Sequence, residues 1–149
     1  MRELSQRWSI MAAGAQDVSA IAGLLLLARL PTNDIERHLA DFVVARSGDR
    51  VIGAAGMERY PPHALLRSVV VEARWRRHGI ARALTQTLLD RARASGIANM
   101  YLLTESAADC FGRLGFEPCA RERFPAELAT APQVATLCCA SAQGMRRAL

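Results

Sequence analysis

The period of the apolar positions changes several times along the chain. "RWSIMAA" is a short apolar run that reads as a strand. From Ala15 to Arg29 the apolar residues fall at Val18, Ile21, Leu24, Leu25 and Ala28, the spacing of one helix face. Pro31 ends that stripe, and Thr32 or Asn33 is placed to cap a short second helix through Leu39. "DFVVARSGDRVIGAAGMERY" reads as two strands around a "SGDR" turn, and "HALLRSVVVEA" as a third, strongly apolar strand. Ile80 to Ser95 places Ile80, Leu84, Leu88 and Ala92 on one helical face, with Gly96 as its C-terminal cap. "ANMYLLT" is the next strand, and Ala107 to Leu114 a short helix stopped by Gly115. "FEPCARER" and "SAQGMRRAL" read as two last strands.

A strand, a crossover helix and a strand predict a parallel pair made of "LLRSVVV" and "NMYLLT", because such crossovers join parallel neighbours. The other connections are hairpin-like. The expected fold is therefore α+β: a single mixed, mostly antiparallel sheet with helices on both faces. At 149 residues the chain is expected to form one domain, 1–149.

Composition adds three constraints. Hydrophobic content of 51% and charged content of 22% are those of a globular chain. The net charge is +5 and every basic residue is arginine, so no lysine amine is present for Schiff-base chemistry. The start, "MRELSQRWSI", lacks the apolar core of a signal peptide, and "IAGLLLLA" is too short to cross a bilayer. A cytoplasmic protein without a membrane partner is expected. Cys110, Cys119, Cys138 and Cys139 contain no CxxC spacing, which favours free thiols in a reducing compartment. No metal site is expected, although the adjacent Cys138 and Cys139 have the soft donors that a metalloid prefers.

The unusual stretch is "WRRHGIARAL". Arg74, Arg76, Arg77 and His78 crowd against Gly79, where a central strand hands over to a helix. Like charges repel, so the crowd is not there for local stability. A helix start presents unpaired N–H groups and partial positive charge. A glycine turn before it lets backbone approach an anion, and the arginines add charge where phosphates would sit. A solvated basic turn is the plainer reading of the same residues.

"SVVVEARWRRHGIARAL" resembles the acetyl-CoA loop of the GNAT family of N-acetyltransferases. Arg76, Gly79 and Ala81 fill the family motif, which is Arg or Gln, two residues, Gly, one residue, then Gly or Ala. "LLTESAADCFGRLGFEP" is similar to the family's next strand, helix and Gly-Phe turn. The resemblance implies acetyl-CoA as co-substrate, held by Val69, Val70, Val71, Arg76, Arg77, His78, Gly79, Ile80, Ala81 and Arg82. It implies direct attack of a primary amine on the thioester, with the N–H of Val69 or a near neighbour as oxyanion donor. "LLRSVVV" and "LCCASAQGM" resemble the small N-acetyltransferases of arsenic-resistance operons, and the "LLT…RLGF" wording resembles N-acetylglutamate synthase-like domains. The acceptor so implied is an amino acid or a glutamate-like analogue; a homodimer is common in the family.

The chain departs from the family pattern at two positions. Phe111 stands where many members carry the tyrosine that protonates the leaving thiolate, and Thr104 where many carry an asparagine. Cys110 is then a candidate acid, and Thr104 a candidate substrate contact. Leu65 stands where N-acetylglutamate synthases often carry a glutamate, which leaves a water path with Glu105 or Glu58 as proton acceptor. Arg67 lies mid-strand in an apolar run. Strand alternation puts it on one face with Leu65 and Val69, where it would clamp an acceptor carboxylate; an ion pair with Glu58 is the structural alternative. Other readings are a silent CoA-binding regulator, a peptide N-acetyltransferase and a nucleic-acid-binding domain. Aromatic content of 5% and scattered arginines weigh against nucleic acid.

Overall fold

The computed structural model describes residues 7–137 and 141–149. Among them the strands are β1 (Ser9–Ala12), β2 (Phe42–Ser47), β3 (Arg50–Tyr60), β4 (His63–Val71), β5 (Asn99–Thr104), β6 (Glu117–Pro118) and β7 (Gln143–Ala148). The helices are α1 (Val18–Leu27), α2 (Ile80–Ala94), α3 (Ala108–Arg113) and α4 (Ala126–Ala129). The strands make one mixed sheet in the order β1-β2-β3-β4-β5-β7-β6. The expected parallel pair is present: β4 runs alongside β5 with His63 opposite Asn99 and Leu65 opposite Tyr101. The β1–β2, β2–β3, β5–β7 and β6–β7 pairs are antiparallel.

The chain divides into two compact groups of residues. One holds the residues through Met57 and Ser68–Asp90; the other holds Glu58–Arg67 and the residues from Arg91 onward. In the first, Ile21, Leu24 and Leu25 of α1 pack with Ile35, Phe42, Val44, Ala54 and Val70. The turn into α1 is fixed by Asp17, 1% exposed. Its carboxylate accepts the Gly14 N–H at 2.8 Å and pairs with Arg46 of β2 at 2.6 Å. In the second group, Leu65 and Tyr101 pack with Phe124, Leu128 and Val134.

Both predicted glycine stops hold. Gly96 and Gly115 have φ of +82° and +90°, and the next residue's N–H reaches back to Ala92 and to Phe111 respectively. Three expectations change. The segment after Pro31 is a series of turns ending in a 3-10 turn, Leu39–Asp41, rather than a helix. Asp34 has φ +63°, which a right-handed helix does not allow. The strand expected in "FEPCARER" is only Glu117–Pro118, since Pro118 has no N–H and a 3-10 turn follows at Arg121–Arg123. The stretch before β7 carries α4 and a π-type turn, Gln133–Leu137, that periodicity did not indicate.

Candidate functional site

The basic loop is built from β4 to α2. The Glu72 N–H donates to the Ile52 carbonyl at 2.8 Å, and Ala73–Trp75 form a 3-10 turn. The Glu72 carboxylate pairs with Arg50 at 2.8 Å and Arg74 at 3.2 Å, so its one negative charge is shared between two guanidinium groups. Arg76, Arg77 and Arg82 are exposed, and no ion pair engages them among the described residues. Arg76 is extended (φ −67°, ψ 155°), Arg77 has φ +68° and Gly79 φ +79°. A β-carbon on Gly79 would meet nothing within 4 Å, so open space faces the turn. Ile80, at 1% exposed, anchors the start of α2. It sits close over Gly53, where a β-carbon would lie 3.3 Å from Ile80 Cγ2 and 3.1 Å from the Val70 carbonyl.

The loop thus collects uncompensated guanidinium charge, a glycine and the unpaired N–H groups of a 15-residue helix. That combination can hold phosphates. Ala81 is half-buried in the first turn, and Val69 and Val71 are half-buried around the buried Val70. Ser68, at the start of that stretch, has φ +61°. A left-handed residue in a strand interrupts its alternation. The expectation that Arg67 and Val69 share a face by simple alternation is corrected accordingly.

Arg67 and Glu58 are each buried, with 2% of either side chain exposed, and Nη1 donates to Oε2 at 2.9 Å. The Tyr60 hydroxyl donates to the other oxygen, Oε1, at 2.5 Å. The ion pair weighed as the structural alternative for Arg67 is therefore present. Tyr60 was not singled out from the sequence. The available signal was its spacing of two from Glu58, which places both on one strand face.

Thr104 ends β5, and its hydroxyl accepts the Ala107 N–H at 3.0 Å. It holds the turn into α3. Glu105 is exposed, and one of its oxygens accepts the Ser141 hydroxyl at 3.4 Å. Cys110 is an exposed free thiol on α3. Phe111 is buried edge-on to Phe116, ring centres 5.9 Å apart, and serves packing. Among the described residues the β4–β5 register ends at Leu65 and Tyr101, although Leu66 and Arg67 continue one strand and Leu102 to Thr104 the other. The two strands are therefore unpaired with each other at that end.

Among the described residues no group of His, Cys, Asp and Glu side chains could hold a metal ion. Cys138 and Cys139 lie outside the described residues. No described helix is long and apolar enough to cross a membrane.

The family model for the acetyltransferase (GNAT) family matches residues 16–116. An amino-acid acetyltransferase of Pseudomonas fluorescens (strain Pf0-1) is 28% identical over 127 residues, covering 79% of this chain and 29% of that protein. The chain therefore spans under a third of the length of such relatives. Among solved structures, N-acetylglutamate synthase from Neisseria gonorrhoeae, complexed with coenzyme A and N-acetyl-glutamate, superposes with a TM-score of 0.84 at 18% identity. That match covers 96% of this chain and 35% of the synthase. Rv2747 from Mycobacterium tuberculosis, in complex with CoA and NLQ, gives 0.80 at 20% identity, covering 95% of this chain and 99% of its own.

Proposed function

Because this chain belongs to the acetyltransferase (GNAT) family, we propose that it transfers the acetyl group of acetyl-CoA to the primary amine of a free amino acid or glutamate-like acceptor. The observation that carries the reading is the loop itself: three exposed arginines without ion pairs among the described residues, around an open left-handed glycine, at the start of α2. The pyrophosphate of CoA would lie on Arg76 through Arg82, with Arg76, Arg77 and Arg82 matching its charge. The amino-acid acceptor draws its support from the names of the similar proteins; a clamp by Arg67 on the acceptor carboxylate would come in addition to the Glu58 ion pair that it makes.

The reaction needs few groups. The neutral amine attacks the thioester carbonyl carbon, a new C–N bond forms, and the oxyanion is held by a strand N–H, assigned to Val69. Collapse breaks the C–S bond and releases the CoA thiolate. The amine proton leaves through water toward Glu58 or Glu105, and the thiolate takes a proton from Cys110 or from solvent. Thr104 would contact the acceptor through the hydroxyl proton that its local bond leaves free. Holding amine and thioester together would supply much of the rate.

The test is an acetyl-CoA consumption screen over free amino acids, including glutamate and its analogues. Release of CoA thiol with at least one carboxylate-bearing amine is expected. Gly79→Trp, which would fill the space facing the turn, should abolish CoA binding by calorimetry. A folded variant with wild-type affinity would show that the phosphates lie elsewhere. CoA binding without turnover of any amine would instead favour a silent regulator, the reading that Phe111 supports.

A further inference from the structure

His78 is exposed, yet its ring is fully oriented. Nδ1 lies 3.0 Å from the Trp75 carbonyl oxygen and 2.9 Å from that of Arg76. The imidazole also leans on the Trp75 ring, with centres 5.5 Å apart and planes tilted by 53°. Carbonyl oxygens only accept, so Nδ1 carries the hydrogen and shares it between them. The neutral ring then keeps its lone pair on Nε2.

The consequence lies in the peptide planes. In a trans peptide the C=O and the following N–H point in opposite directions. Drawing the Arg76 oxygen toward the imidazole turns the Arg77 N–H away from it. A loop that binds an anion needs its carbonyls withdrawn and its N–H groups outward, because a carbonyl oxygen repels phosphate. The two left-handed residues, Arg77 and Gly79, flank His78 and complete the reversal of the chain. Arg77 is not glycine, so its conformation needs support from its surroundings. The imidazole supplies a fixed hydrogen-bond donor inside the turn.

Building on the assignment of Arg76 through Arg82 to the CoA pyrophosphate, we infer that His78 is a positioning residue for that loop. It acts through the Trp75 and Arg76 carbonyls and not by direct contact with phosphate. The two roles require different nitrogens. An asparagine amide nitrogen occupies the place of Nδ1, and a glutamine amide nitrogen reaches the place of Nε2.

The experiment compares His78→Ala, His78→Asn and His78→Gln by steady-state kinetics and CoA calorimetry. Acetyl-CoA and S-acetylpantetheine, which lacks the pyrophosphate, serve as donors. His78→Ala should raise the acetyl-CoA KM by about tenfold, the effect of losing a hydrogen bond to a structured loop, with kcat retained. The KM for S-acetylpantetheine and for the acceptor should not move, and His78→Asn should recover most of the loss. Recovery by Gln but not by Asn would assign the ring to phosphate and overturn the inference. So would an alanine variant with wild-type KM. If the alanine variant does not fold, the Asn and Gln variants decide the question between them. Wild-type protein that fails to bind CoA would overturn the loop assignment first, and the role of His78 with it.

Discussion

Arg77 carries a long side chain through a backbone region that favours glycine, at φ +68°. Such a residue costs about 1–2 kcal/mol. Glycine there would relieve that cost but lose about 0.5–1 kcal/mol to greater freedom in the unfolded chain. Arg77→Gly should therefore raise the melting temperature by roughly one to three degrees. It should also weaken CoA binding several-fold, through the loss of one guanidinium. A lower melting temperature in a thermal scan would contradict this. The residue's place in a basic turn was readable from the sequence, because Arg74, Arg76, Arg77 and His78 crowd against Gly79. Its backbone was not, since no periodicity specifies a left-handed arginine. Thr104 illustrates the same limit. Its hydroxyl meets the Ala107 N–H because of the path of the turn, which residue spacing did not reveal.

At the scale of elements, β3 and β4 carry the buried pair of Glu58 and Arg67. Removing one member of such a pair leaves a buried charge without its partner and costs about 3–5 kcal/mol. Arg67→Met alone should therefore be strongly destabilised in urea titration. The double variant Glu58→Leu, Arg67→Met should return close to wild-type stability while losing the carboxylate-bearing acceptor. A double variant that acetylates that acceptor normally would remove Arg67 from the acceptor site. Close packing sets a second test. Gly53 lets the Val70 carbonyl and Ile80 approach β3, and Gly53→Val should cost about 1–3 kcal/mol by overpacking. An unchanged urea midpoint would show that β3 and α2 can separate freely. α2 was legible because it buries one regular face, and β2 to β5 because they are continuous apolar runs, buried over consecutive residues. The segments around Ile35 and from Phe124 to Val134 were not. Their buried residues join clusters made by distant parts of the chain, so local period carries little of their structure.

Over the whole molecule the net charge of +5 is distributed unequally in its effects. The exposed Arg76, Arg77 and Arg82 are open to screening, whereas the pairs Asp17–Arg46 and Glu58–Arg67 are largely shielded. Screening acts over about 10 Å at 0.1 M salt and reaches buried pairs far less. Raising sodium chloride from about 0.05 to 0.5 M should lower CoA affinity several-fold and leave the melting temperature within about two degrees. A melting temperature that falls in parallel would mean that the surface arginines hold the fold together. The sequence predicted a mixed sheet and its parallel pair but not that β7 lies between β5 and β6. That insertion orders events in time. β6 has β7 as its neighbour in the sheet, and β7 joins β5 across a long separation, Asn99 opposite Ala148. Contacts so distant along the chain form slowly, because a large loop must close first. The amides of β7 and that of Cys119, whose N–H donates to the Gly144 carbonyl at 2.9 Å, should then gain protection from hydrogen exchange together, and late, during refolding, after the β2–β3 hairpin is already protected.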